Sequence, residues 1–120
     1  MKDFLGRFSV MAGLVPAIHV LFRLSMSRAF VHIMSNRRNG VLYTGVTSDL
    51  LRRGYEHREG LLGRFTKRYG LKRLVWFEAH DDIRIGTQCE KTMKHWPRAW
   101  KVRLINAGNP EWSDLYDALS

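Results

Sequence analysis

Three side chains in the stretch LYTGVTSDLLRRGYEH, residues 42–57, have the chemistry needed to hold and cleave a phosphodiester. Arg53 could clamp phosphate oxygens with parallel hydrogen bonds, and a guanidinium keeps its charge. His57 follows four residues later, so both side chains would project from one face of a helix, and a histidine can move a proton near neutral pH. Tyr43 lies where the predicted strand turns toward that helix, so its phenol could point to the same place. Each residue also has a plainer interpretation, as a packed tyrosine or a solvated Arg/His face, and spacing alone does not decide between them.

A carboxylate far along the chain, Glu90, is the best single candidate for a metal ligand. Hydrolysis of a phosphodiester needs an activated water, stabilised charge on the phosphorane, and a leaving oxygen that is protonated or bound to metal. Carboxylate oxygens suit Mg²⁺, which is usually bound by few carboxylates together with water and substrate phosphates. The alternative is that Glu90 pairs with Lys94 one helical turn away.

The elements that must position these side chains begin with a hairpin. Residues 30–34 (FVHIM) and 41–46 (VLYTGV) are typical of strands, and Asn39-Gly40 between them is a strong turn signal because both residues tolerate a positive φ. A loop of two or of four residues places His32 and Tyr43 on the same face of the sheet, since side chains alternate along a strand. A five-residue loop would separate them.

The later segments predict a small sheet covered by helices. Thr47 or Ser48 can cap the helix that carries Arg53 and His57, with Asp49 suited to its positive first turn. The remaining predicted elements are, in chain order, a basic loop or short helix at 60–70, a strand at 71–80, a helix from about 81 to 96, a helix at 97–107 and a closing turn at 111–119. The order ββαβαα indicates an α/β (α+β) domain in which helices pack against the sheet.

The charge of the chain favours a polyanionic partner. Lys and Arg number 20 against 11 Asp and Glu, a formal net charge of +9, and no Lys or Arg follows Arg103. Such a field attracts nucleic acid first and anionic membrane second, and interleaved Tyr and Trp residues favour nucleic acid. The single cysteine, Cys89, excludes an internal disulfide and is typical of a reducing, cytoplasmic compartment.

Residues 1–28 form an atypical apolar extension. The segment FSVMAGLVPAIHVLF, residues 8–22, is shorter than the roughly 20 residues that span a bilayer, and Pro16 interrupts it, so no stable membrane insertion is expected. It has three interpretations: a signal peptide, a docked amphipathic helix, or a segment outside the functional domain with Met26 as the true start. We prefer the last, which leaves residues 29–120 as the domain.

The linked motifs resemble those of the GIY-YIG nuclease superfamily, particularly its small stand-alone members. The resemblance rests on YTGVTSDLLRRGYEH, then GLLGRFTKRYGLKRLVWFEAH and EKTMKHWPRAWKVRLI, closed by NPEWSDLY, and covers about residues 29–119. It implies a three-stranded antiparallel sheet flanked by helices. It also implies divalent-metal-dependent cleavage of nucleic acid, with Mg²⁺ or Mn²⁺ as the cofactor. The leading hypothesis is an endonuclease that hydrolyses phosphodiester bonds in DNA. Because the chain shows no obvious second recognition domain, we expect targeting to need a partner protein or a structural feature of the DNA, such as a branch or damage.

The resemblance also implies roles for individual residues. Tyr43 matches the tyrosine that positions or activates water, Arg53 matches the arginine that stabilises the phosphate, and His57 is a supporting group. Glu90 matches the metal-binding glutamate. The family's late asparagine falls on Asn109, with Asn106 close enough to be an alternative.

The sequence departs from the family at His32, where the first-motif tyrosine is expected. The histidine either substitutes as a base or weakens the enzyme. The rival interpretation is therefore a catalytically inactive, basic nucleic-acid-binding module. A membrane-associated protein anchored by residues 8–22 is the least favoured alternative.

Overall fold

The computed structural model describes residues 28–119 as a three-stranded sheet with helices on both faces. In chain order the elements are β1 (Ala29–Ser35), β2 (Leu42–Thr47), α1 (Leu50–Arg58), α2 (Arg64–Tyr69), β3 (Arg73–His80), α3 (Ile83–Lys94), α4 (Arg98–Gly108) and α5 (Tyr116–Leu119). The predicted order ββαβαα is confirmed, and the basic segment and the closing turn each form a short helix in addition.

The first hairpin has the register that a four-residue loop, 37–40, predicts. β1 and β2 pair antiparallel, with His32 opposite Gly45. Asn39 has a positive φ of 57°, as the Asn-Gly turn signal predicts. Because Tyr43 stands two residues before Gly45 on the same strand, its side chain shares a face with His32. That prediction is confirmed.

The third strand pairs with the other edge of β1 and carries a bulge. The sheet order is β2-β1-β3, with both pairs antiparallel. Ile33 lies opposite Trp76 and Met34 opposite Leu74, so Val75 is an extra residue on β3 without a partner position on β1. A bulge of this kind removes a rung from the ladder of hydrogen bonds.

Asp49 is the N-cap of helix α1, and its carboxylate accepts a hydrogen bond from the Arg52 N–H at 3.1 Å. The expectation that Thr47 or Ser48 caps this helix was therefore wrong. The Thr47 hydroxyl instead accepts from the Asp49 N–H at 3.1 Å, which orients the capping residue.

A glycine in the middle of α1 lets the C-terminal segment pack against this helix. A Cβ on Gly54 would lie 2.5 Å from Cδ1 of Tyr116, so a larger residue would push the aromatic ring away. Arg58 at the end of α1 completes this contact by bonding the carboxylates of Asp114 and Asp117 and by lying 4.5 Å from the centre of the Tyr116 ring. The glycine thus favours the tertiary contact while it weakens the isolated helix.

The helices form two layers around the sheet. On the face that carries His32, α1 and α5 cover a cluster of buried residues that includes Phe30, Met34, Leu50, Leu74, Phe77 and Leu119. On the opposite face, α3 and α4 cover a second cluster that includes Val31, Ile33, Trp76, Met93, Leu104 and Ile105. The site residues predicted from the sequence are therefore divided between two layers.

Within residues 28–119, no helix is both long enough and apolar enough to cross a membrane. The expectations for the apolar segment 8–22 and for Met26 as a start lie outside the described residues.

Candidate active site

Three rings meet between the sheet and α1. The centroids of His32 and Tyr43 are 6.5 Å apart, those of His32 and His57 5.8 Å, and those of Tyr43 and His57 5.6 Å. β1 and β2 supply the first two residues, and α1 brings in the third because His57 lies on its buried side. Three of the residues predicted from the sequence thus form one cluster.

The ring of His32 lies directly over the backbone of the neighbouring strand. A Cβ on Gly45 would come within 2.8 Å of the His32 Cε1 and 3.1 Å of its Nε2, so only a glycine leaves room for the imidazole. His32 is fully buried, and this desolvation is the main reason that its pKa falls to about 3. The charges of His57 and Arg53 lower it further. His32 is therefore neutral at pH 7.

His57 is neutral as well. Burial lowers its pKa to about 4, and the positive charge of Arg53 adds to the effect, while the nearby Leu71 backbone and the charge of Glu56 act in the opposite direction. Each imidazole can therefore accept a hydrogen bond or take up a proton only transiently near neutral pH. The positive charge of the cluster comes from Arg53.

Arg53 lies at the rim of the cluster. Its side chain is 33% exposed and its Nε lies 3.4 Å from Oε1 of Glu56, which also contacts Arg52 at 3.4 Å. Both arginines line a cleft of about 290 Å³ together with the start of α1. The charge of Arg53 depresses the pKa of both histidines, which places the guanidinium within electrostatic range of both rings. It can thus face solvent and the cluster together, as a phosphate-binding group must.

Glu90 lies on α3, in the layer behind the opposite face of the sheet. Its carboxylate is buried, and Oε2 lies 2.7 Å from the Lys94 ammonium. The Glu90–Lys94 ion pair, which was the alternative prediction from the sequence, is therefore present. The same carboxylate raises the pKa of Lys94, and the phenol of Tyr43 adds to that shift. Lys94 is thus within electrostatic range of Tyr43.

Glu90 contributes one buried carboxylate, and Lys94 pairs with it. Carboxylate oxygen is a ligand type that Mg²⁺ uses together with water and substrate phosphate.

Asn109 lies at the end of α4 and has structural hydrogen bonds. Its Nδ2 donates to the carbonyl oxygens of Val75 at 3.1 Å and Ser113 at 2.9 Å, and its Oδ1 accepts from the Ser113 N–H at 3.1 Å. Val75 is the bulged residue of β3, so Asn109 bonds a carbonyl of the bulge. The other candidate, Asn106, accepts from the Trp112 indole at 2.7 Å.

Two aromatic residues that were not predicted as site residues extend the cluster to the surface. Phe65 on α2 is half exposed, and its ring centroid lies 6.4 Å from Tyr43 and 4.8 Å from Tyr69. Arg68 lies 5.5 Å from the centre of the Tyr69 ring. The alternation of basic and aromatic residues in RFTKRY is the sequence signal that could have pointed to them.

The chain matches a known protein family over most of its length. A family model described as the GIY-YIG catalytic domain matches residues 28–103, well over half of the chain. The match includes His32, Tyr43, Arg53, His57 and Glu90. Comparisons with curated proteins and with solved structures gave no significant match.

The three-stranded antiparallel sheet with helices on both faces, together with this match, puts the chain in the nuclease class of hydrolases. More specifically, the chain belongs to the GIY-YIG family, as the resemblance in its motifs predicted. Nucleases of this family typically depend on a divalent metal ion.

Proposed function

We propose that the chain is a metal-dependent endonuclease that hydrolyses phosphodiester bonds in DNA, and that residues 29–120 are its catalytic domain. The observation that carries the proposal is the meeting of Tyr43 and His57 beside the partly exposed Arg53, in a chain of a nuclease family. Neither composition nor fold alone would support it.

Each residue has a defined task in the proposed reaction. Arg53 binds the non-bridging oxygens of the scissile phosphate and stabilises their growing charge. Tyr43 orients the attacking water through its phenol, and the buried, neutral His57 accepts a hydrogen bond from that phenol. Glu90 would hold Mg²⁺ or Mn²⁺, whose chemistry when bound would be Lewis-acid stabilisation of the charge on the leaving oxygen.

The exposed face of α2 is the proposed DNA-binding surface. Basic residues interact with the phosphates there, and the half-exposed rings of Phe65 and Tyr69 offer stacking surfaces for bases. Stacking requires a base that is out of the duplex, so branched or damaged DNA suits this surface better than intact duplex. The proposal also includes targeting by a partner protein. It places the protein in the cytoplasm, because a lone cysteine is typical of a reducing compartment.

One observation favours a second candidate, an inactive nucleic-acid-binding module. His32 stands at the first-motif tyrosine position, is completely buried, and has a pKa of about 3. A buried imidazole does not touch solvent water, so it cannot by itself supply the base that the tyrosine position serves. The module would keep the basic surface and bind DNA without cleaving it.

A nicking assay with a matched pair of arginine variants tests the proposal. Arg53→Ala is compared with Arg52→Ala, because both arginines pair with Glu56 at 3.4 Å while the Arg52 side chain is 75% exposed. With supercoiled plasmid and Mg²⁺ or Mn²⁺, we expect Arg53→Ala to lower the rate at least about 100-fold, and Arg52→Ala by no more than roughly threefold. Glu90→Gln should abolish nicking at low metal concentration.

Two outcomes would contradict the proposal. Equal losses in Arg52→Ala and Arg53→Ala would mean that general charge, not a phosphate clamp, matters at this position. Salt-sensitive DNA binding by the unaltered protein without any nicking, in Mg²⁺ or in Mn²⁺, would establish the inactive module instead.

A further inference from the structure

A second group of side chains with metal-binding chemistry lies on the face of the sheet opposite the ring cluster. Glu78, His80 and Cys89 are all buried, with exposed fractions of 0%, 8% and 8%. One ligand atom from each residue, a carboxylate oxygen, an imidazole nitrogen and the thiol sulfur, lies within 4.8 Å of the others. None of the three has a task in the proposed cleavage reaction.

Strand periodicity and one close helix contact bring these residues together. Glu78 and His80 are two residues apart on β3, opposite Val31 and Ala29 of β1, so both side chains leave the same face of the sheet. Helix α3 approaches that face at Gly86, where a Cβ would meet the Cβ of Ala29 at 3.0 Å. One turn further along, the helix places the Cys89 sulfur beside the two strand residues.

We propose that Glu78, His80 and Cys89 bind a divalent transition-metal ion of the Zn²⁺ class. Thiolate, imidazole and carboxylate are the three ligand types that Zn²⁺ uses in proteins, and three protein ligands leave a fourth position for water or another donor. A thiolate excludes Mg²⁺ as the preferred occupant, because that ion favours oxygen ligands. The ion that serves DNA cleavage and the ion of this site therefore have different chemistry.

The metal-free protein already brings two of the three proposed ligand atoms together. His80 Nε2 lies 3.0 Å from Glu78 Oε1, so one ion could be held by both side chains. The ion also places positive charge beside a fully buried carboxylate.

The site has an access route and a structural consequence. His80 and Cys89 both line a largely apolar groove of about 610 Å³ along α3, through which an ion and its water ligand can reach the cluster. Once bound, the ion joins edge strand β3 to α3. It therefore stabilises the fold and need not take part in catalysis, so the proposal stands or falls separately from the nuclease function.

The lone cysteine makes a direct test possible on the unaltered chain. The protein is reduced, stripped of metal and titrated with Co²⁺, which gives a thiolate-to-metal charge-transfer absorption when sulfur is a ligand. Because Cys89 is the single cysteine in the sequence, that band can arise only from this site. We expect the band to saturate at one Co²⁺ per chain and to vanish when Zn²⁺ is added. Co²⁺ titration without the band would overturn the proposal.

Variants then test the other two ligands. Removing a group that merely supports a metal ligand costs roughly 10- to 100-fold in affinity, so Glu78→Gln and His80→Gln should each weaken Co²⁺ binding by at least about 100-fold. His95→Gln removes an exposed histidine that follows the same helix and is the matched control, and Glu90→Gln tests the separation from the cleavage site. The charge-transfer band should persist with wild-type affinity in both controls. Wild-type affinity for Co²⁺ in Glu78→Gln or His80→Gln would refute the three-residue site. If those variants do not fold, the charge-transfer band in the titration of the unaltered chain still decides the proposal.

Discussion

Acidification from pH 7 to pH 5 should destabilise the protein through the two buried histidines. His32 and His57 have folded-state pKa values of about 3 and about 4, both below the ordinary value of 6.5. At pH 5 the unfolded chain therefore binds more protons than the folded chain at both positions. The free energy of unfolding rises with pH wherever the unfolded state binds more protons than the folded state. Acidification should therefore lower the stability of this protein.

The size of this loss of stability is set by the protonation of the two histidines in the unfolded chain. Because pH 5 lies above both folded-state pKa values, the loss depends mainly on how completely each histidine is protonated after unfolding. Between pH 7 and pH 5 this amounts to about 2 kcal/mol for each histidine, or about 4 kcal/mol in total. The two contributions add in this range, because both imidazoles are essentially uncharged in the folded state above pH 5. A domain with a total stability of roughly 5–15 kcal/mol would lose a large part of it.

Urea unfolding at the two pH values measures this loss. His32→Gln removes one titrating group, so we expect the variant to lose about 2 kcal/mol less than the unaltered protein between pH 7 and pH 5, whatever its stability at pH 7. His57→Gln should behave in the same way. His95→Gln, at an exposed position, serves as the control for removing a histidine outside the cluster. If His32→Gln loses as much stability as the unaltered protein, His32 is not a buried neutral imidazole, and the account of the ring cluster fails with it.

Three further substitutions separate positioning from catalysis. His32→Tyr should raise the nicking rate about tenfold, because a phenol reaches further than an imidazole and can contact water; an unchanged or lower rate would mean that His32 has itself taken over the role. Gly45→Ala should lower the free energy of unfolding, measured by urea titration, by about 1–3 kcal/mol, because its Cβ would lie 2.8 Å from the His32 ring. A stability equal to that of the unaltered protein would show that the ring can move aside. Asn109→Ala should cost about 3 kcal/mol, since it leaves the Val75 carbonyl and the Ser113 backbone without hydrogen bonds. Nicking per folded molecule should not change in that variant, and a selective loss of rate would instead assign Asn109 to catalysis.

Local rules were enough to predict the half of the site that lies on the hairpin and α1. The positive φ at Asn39 and the alternation of side chains along a strand put His32 and Tyr43 on one face, and helical spacing put Arg53 and His57 on one side of α1. Each of these relations spans few residues. The physical constraints that decide them are therefore visible in the sequence itself.

The other features of the structure depend on tertiary contacts, which no local sequence pattern predicts. Gly54 looks like a weak point of its helix until Tyr116 is seen packed over it. Asn109 has a partner in the Val75 carbonyl because β3 bulges there, and a bulge has no reliable signature in this stretch. Cys89 stands alone in the sequence and meets its neighbours only when α3 docks on the sheet.

The histidine at the first-motif position changes the reach of the site more than its charge. A phenol has an ordinary pKa of about 10 and is neutral at pH 7, and burial makes the imidazole of His32 neutral at pH 7 as well. In either case Arg53 supplies the positive charge that faces a phosphate. What the imidazole lacks is length, because its ring ends over Gly45, within the buried layer. Tyr43, which is partly exposed, is therefore the residue of this pair that can touch water, and the activity of the protein should depend on that phenol more than on the histidine beside it.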